Sequence, residues 1–131
     1  MAERGLLDTS AVIDLLEVDT SLLPTTLAIS AITLAELSAG PVAAASSDES
    51  ARRQDRLQRV EAAFETVPFD SAAARAYGRI YAAVVASGRK PRRRLADLQI
   101  AATALALDVP LVTRNPKDFA GLDGLVEVIA V

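Results

Sequence analysis

Three observations predict an α/β fold, with a mostly parallel sheet flanked by helices in three layers. Short strand-like apolar runs alternate with longer runs at helical spacing, the pattern of successive βαβ units. Acidic residues recur where those strand-like runs end. Hydrophobic residues make up 51% of the chain and charged ones 24%, a balance that can bury a core. At 131 residues the chain has the length of one ordinary domain, and residues 1–131 read as a single domain without internal repeats.

Gly5-Leu6-Leu7 is the first strand, ending at Asp8, with Ser10 placed to cap a helix through Leu16. Leu27 to Ser30 is the second strand. Ser30 or Thr33 caps the following helix, which contains Leu34, Glu36 and Leu37 and is expected to stop at Pro41. Val42 to Ser50 is expected to be a loop. An amphipathic helix follows, with Leu57, Val60 and Phe64 on one face and Arg52, Arg53, Arg56 and Arg59 on another. Glu65 to Phe69 is the third strand and Asp70 a natural N-cap. The next helix carries Ala73, Ala76, Tyr77, Ile80 and Val84 on its core face, Arg75 and Arg79 outside, and ends at Gly88. Leu95 to Leu107 is apolar nearly all round, which predicts a helix buried on most sides. Pro110 to Thr113 and Val126 to Ile129 are the last two strands.

Composition excludes several chemistries. The chain has no Cys, hence no disulfides and no thiolate metal site. It has no His, which removes His-ligated zinc, Ser-His and Cys-His nucleophile pairs, and the usual neutral-pH base. Acid–base or metal chemistry must run on carboxylates, hydroxyls and amides. The N-terminal stretch carries acids within its apolar run and no A-x-A-like site after it, and no uncharged run approaches the roughly 18 residues of a membrane span. A soluble cytoplasmic protein is expected.

Asp8 follows a strand and precedes a helix. In open α/β sheets ligands bind outside the carboxyl ends of strands, although helix capping explains such an acid equally well. Glu36 lies in an otherwise apolar stretch, either on an exposed face or paired with a cation. Asp97 is the sole charge between Leu95 and Leu107, in a first turn where the helix dipole favours an acid. After the fourth strand, Thr113, Arg114, Asn115 and Asp118 place a hydroxyl, an amide and a carboxylate in a turn. Acids gathered in one cleft repel one another, and an oxygen-bound divalent cation relieves this. Without His or Cys the donor set favours Mg²⁺, with Mn²⁺ as the other candidate.

LLDTSAVIDLL at 6–16, ISAITLAEL at 29–37 and LADLQIAATALALDVPLVTRNPKDF at 95–119 occur in this order over nearly the whole chain. Together they resemble the PIN domain, and specifically the VapC-type toxin ribonucleases of type II toxin–antitoxin pairs. The resemblance implies a PIN-like three-layer fold and an Mg²⁺-dependent endoribonuclease restrained by a cognate antitoxin. It places the family's first Asp on Asp8, its Glu on Glu36 and its helix-borne Asp on Asp97, with Asp8 and Asp97 as the metal ligands. The fourth acidic position falls on Thr113-Arg114-Asn115, where this chain carries Asn115 and has Asp118 close by.

The net charge of −3 runs against RNA binding, but Arg89, Lys90, Arg92, Arg93 and Arg94 form a dense basic run directly before the Asp97 helix. That run is expected at the mouth of the acidic cleft, with Arg92, Arg93, Arg94 and Arg114 holding substrate phosphates. A solvated loop, or a site for an acidic protein partner, is the alternative. Three Phe, two Tyr and no Trp offer little base stacking. Thr9, Ser10 and Thr113 can donate to carboxylates or phosphate. Homodimerisation is expected from the resemblance, with Leu15, Leu16, Leu34 and Leu37 as apolar support. Two rival readings are a receiver-like signalling module, which lacks its paired acid after the first strand, and a catalytically weak PIN-like module that binds RNA or protein.

Overall fold

The computed structural model describes residues 3–131. Five strands form one sheet in the order β3-β2-β1-β4-β5: β1 (Arg4–Leu7), β2 (Thr26–Ser30), β3 (Glu65–Val67), β4 (Leu111–Thr113) and β5 (Val128–Ala130). Every pairing is parallel. Buried parallel strands read as continuous apolar runs, as in Leu6-Leu7 and Leu111-Val112, because both faces are covered.

Alternation along the strands divides the core into two halves. Leu6, Ala28 and Leu111 face α4 (Ser71–Ala86) and α5 (Leu95–Leu107), where Ile80, Val84, Leu98 and Ile100 are buried. Leu7, Ile29 and Val112 face the opposite way, against α1 (Thr9–Ile13), α2 (Ala31–Ala43) and α3 (Ser47–Ala63). The result is the predicted three-layer arrangement. The helix over Leu95–Leu107 has its predicted bounds and buries six of its residues, as an all-round apolar sequence requires.

Several local expectations are corrected. Asp8 rather than Ser10 caps α1, which ends at Ile13 and passes into a short 3-10 turn over Leu15–Glu17. Ser30, not Thr33, caps α2. Pro41 does not stop α2, which runs two residues further to Ala43. Tertiary contact with α3 outweighs its local cost there: Arg53 of α3 donates to the Gly40 carbonyl at 2.9 Å. The loop expected over Val42–Ser50 shrinks to Ala44–Ser46, because Ser46 accepts from the Glu49 amide and starts α3 early. The third strand ends at Val67 and the fifth begins at Val128, where register with β4 begins. The apolar residues suggested for self-association are largely core: Leu37 is buried, Leu15 and Leu34 pack against it, and Leu16 alone of the four stands out in solvent at 96% exposure.

Gly88 ends α4 as predicted. Its φ of 81° carries a turn in which the Gly88 amide bonds Val85 and the Arg89 amide bonds Val84. This turn launches the basic run toward the start of α5.

Candidate active site

The sheet's winding reverses between β1 and β4, which lie side by side although the chain visits them first and fourth. Such a switch point leaves a crevice at the carboxyl ends of the strands. Asp8 and Thr113 stand there, each one step beyond or at a strand end. The alternation that turns Leu6 and Leu111 toward α5 turns both of them toward that same side.

Asp8 is 4% exposed and fully engaged. Its Oδ1 accepts from the Ser10 hydroxyl at 2.7 Å and the Ala11 amide at 2.8 Å, and its Oδ2 accepts from the Thr113 hydroxyl at 2.5 Å. Ser10 Oγ also accepts from the Arg114 amide, and Thr113 Oγ1 from the Asn115 amide. These hydroxyls therefore hold the carboxylate and its turn together. Thr9, the first residue of α1, donates to Glu36 Oε1 at 2.6 Å. Glu36 itself is exposed on α2, as the blander reading of its setting expected, yet this contact ties it to the cleft.

Asp97 sits in the first turn of α5, half-buried, and its carboxyl is pushed up from 3.8 to about 6. Burial is the largest cause, followed by the charges of Asp118, Asp8 and Glu36, while Arg94 acts in the opposite direction. Four carboxylates from distant parts of the sequence thus share one electrostatic site. Asp118, expected only as a supplement to Asn115, is the strongest charged neighbour of Asp97; Asn115 is exposed on the turn. Arg94 bridges the two acids, pairing with Asp118 and lying 3.8 Å from Asp97 Oδ2.

The basic run does reach this end of the molecule. Arg89, Lys90, Arg93 and Arg94 line a cavity of about 330 Å³ with Asp118, beside the acids. Arg89 is partly spent on structure, donating to the carbonyls of Lys117 and Ala120. Arg92 and Arg93 are exposed. Arg114 is placed differently from the expectation: its guanidinium faces Asp14 and Glu17 and bonds the Val131 carbonyl, clamping α1 and the chain's last residue to β4. Two buried hydroxyls, Ser30 and Thr33, adjoin the Thr9–Glu36 contact, and the sequence offered them only as helix caps. Their signal was a Ser-x-x-Thr pair at a strand-to-helix junction, which reads first as capping.

Among the described residues, no three acids come close enough to ring a metal ion by themselves. Mg²⁺ is typically bound through one or two carboxylates plus waters and substrate oxygens. The Asp97 carboxyl is raised by burial and then by the charges of Asp118, Asp8 and Glu36, and a bound cation would relieve that repulsion. An all-oxygen donor set fits Mg²⁺ or Mn²⁺.

Comparison with known proteins agrees with this fold. The chain matches the PIN domain family over residues 5–125 and belongs to it. It is 42% identical to Ribonuclease VapC5 of Mycobacterium tuberculosis, over 97% of this chain and 95% of the relative. Its structure superposes on a member of the VapBC family of toxin–antitoxin systems, VapBC-5 from the same organism, with a TM-score of 0.88, 42% identity, and coverage of 98% of this chain and 99% of that one. FitAcB from Neisseria gonorrhoeae matches with a TM-score of 0.74 and 27% identity, over 95% of this chain and 96% of that one. No helix among the described residues is long and apolar enough to cross a membrane.

Proposed function

We propose that this protein is the toxin of a toxin–antitoxin pair, a metal-dependent endoribonuclease that hydrolyses RNA phosphodiester bonds and is restrained by a cognate antitoxin protein. The carrying observation is that Asp97, raised to about 6 by burial first, also feels the charges of Asp118, Asp8 and Glu36 at the carboxyl end of the sheet. The names of the relatives support the reading: one is a ribonuclease, and another belongs to a toxin–antitoxin family.

Asp8 and Asp97 are the residues that would hold Mg²⁺ or Mn²⁺, with Asp118 completing the acidic wall. When bound, the ion supplies charge stabilisation at the phosphate and acidifies a coordinated water. Asp8 keeps a fixed orientation because three donors hold its two oxygens. Glu36, at the exposed rim, orients the attacking water and accepts its proton. The water oxygen bonds to phosphorus, the P–O3′ bond breaks, and the 3′-oxygen takes a proton from solvent, leaving a 3′-hydroxyl and a 5′-phosphate. Lys90, Arg92 and Arg93 hold flanking phosphates, and Arg94 is shared between this surface and Asp118.

The test is cleavage of single-stranded RNA by the purified protein with Mg²⁺ and with excess chelator. Cleavage that needs Mg²⁺ and disappears in Asp8→Asn is the expected result. RNA bound but left intact with every divalent ion tried would favour the binding-module reading instead. The proposed self-association is checked by light scattering; a monomer throughout the micromolar range would remove it.

A further inference from the structure

Glu36 is the least constrained of the four acids by burial, yet its carboxylate is met by a specific donor. Thr9 Oγ1 lies 2.6 Å from Glu36 Oε1 and 3.1 Å from Thr33 Oγ1. A threonine hydroxyl has one proton. An ionised carboxylate only accepts, so that proton goes to Glu36, over the shorter distance. The Thr9–Thr33 contact also has Thr9 as its donor, so the two oxygens compete for one proton, and the shorter contact to the ionised carboxylate prevails. Thr33 is fully buried, and its amide donates to Ser30 Oγ at 3.1 Å. Ser30 is also fully buried, with its hydroxyl 3.5 Å from Thr33 Oγ1, at the outer limit of a hydrogen bond.

We infer that Thr9 is a positioning residue for Glu36, its hydroxyl holding one oxygen of that carboxylate. This inference rests on the nuclease reading for its consequence and on geometry for its existence. The arrangement fixes one carboxylate oxygen and leaves the other free to face a water in the cleft. Thr9 thereby links α1, which carries the Asp8 cap, to α2, which carries Glu36, and sets the two acids in register.

Three variants separate this from a packing role. Thr9→Val keeps the side-chain shape and removes the hydroxyl; turnover at saturating RNA is expected to fall about ten- to a hundredfold, the range for a hydrogen bond to a charged group. Thr9→Ser, which keeps the hydroxyl, is expected to recover the rate lost in Thr9→Val. Thr33→Val is expected to lower turnover less than Thr9→Val. In a Glu36→Ala background, Thr9→Val is expected to add nothing, because the residue through which it acts is gone. A second readout needs no catalysis: the Glu36 side-chain carboxyl ¹³C resonance should move in Thr9→Val and return in Thr9→Ser. A Glu36 resonance unmoved in Thr9→Val overturns the inference, as does a further rate loss on adding Thr9→Val to Glu36→Ala. If the wild type cleaves no RNA, the nuclease reading falls while the resonance still decides whether Thr9 holds Glu36.

Discussion

The Thr113 hydroxyl donates to Asp8 Oδ2 at 2.5 Å, across 105 positions of sequence. Both side chains are almost wholly buried, and they lie at the ends of adjacent strands whose pairing runs Leu6 to Leu111 and Leu7 to Val112. Continuing that register by one step brings Asp8 opposite Thr113. The bond is therefore a consequence of strand order, and it holds Oδ2 while Ser10 and the Ala11 amide hold Oδ1.

Thr113→Val tests the importance of that bond. A buried carboxylate deprived of one donor loses roughly 1–3 kcal/mol. Unfolding in urea should show a loss of this size, and RNA cleavage should fall because Asp8 no longer holds one orientation. Unchanged stability would mean that the remaining donors, Ser10 and the Ala11 amide, suffice.

Asp97→Asn should separate stability from activity. Removing its charge relieves repulsion from Asp118, Asp8 and Glu36 and ends the cost of a half-buried carboxylate. The metal-free variant is expected to melt above the metal-free wild type and to cleave no RNA. Retained Mg²⁺-dependent cleavage would contradict the site.

The same carboxyl predicts a pH dependence. Its value in the folded protein, about 6, lies above the ordinary 3.8, so the folded state binds the proton more tightly than the unfolded state. This contribution is fully present below about pH 3.8 and is lost as pH rises through 6. The interval corresponds to roughly 3 kcal/mol at full strength, and solvent screening at a partly exposed group reduces it to about 1–2 kcal/mol. In the metal-free protein, wild-type stability relative to Asp97→Asn should therefore fall between pH 4 and 7. Parallel stability curves over that range would refute the assignment.

Mg²⁺ should raise the melting temperature of the wild type, as any ligand bound only by the folded state does. Asp8→Asn should reduce or abolish the rise. An equal rise in both would place the ion elsewhere.

The arginines divide by geometry. Arg92→Gln and Arg93→Gln should each flatten the slope of log K for single-stranded RNA against log salt by up to roughly 0.7 per lost phosphate contact. Arg114→Gln should leave that slope unchanged and cost up to about 1 kcal/mol of stability, because its partners are Asp14, Glu17 and the Val131 carbonyl. A flattened slope in Arg114→Gln would return that residue to the RNA surface.

The sequence by itself determined the alternation of strands and helices, the bounds of the helix over Leu95–Leu107, the cap at Asp70 and the turn at Gly88, because periodicity, capping oxygens and a positive φ are local properties. It also singled out Asp8 at a strand end, Glu36 in an apolar stretch and Asp97 as the sole charge of an apolar helix. Tertiary structure alone decided how far α2 runs past Pro41, since contact with α3 is non-local. It alone turned Arg114 to Asp14 and Glu17, made Asp118 the main charged neighbour of Asp97, and buried Thr33 behind Thr9. The reason is common to all of these: a side chain's partner depends on which strands lie side by side, and strand order places β1 against β4 across more than a hundred residues.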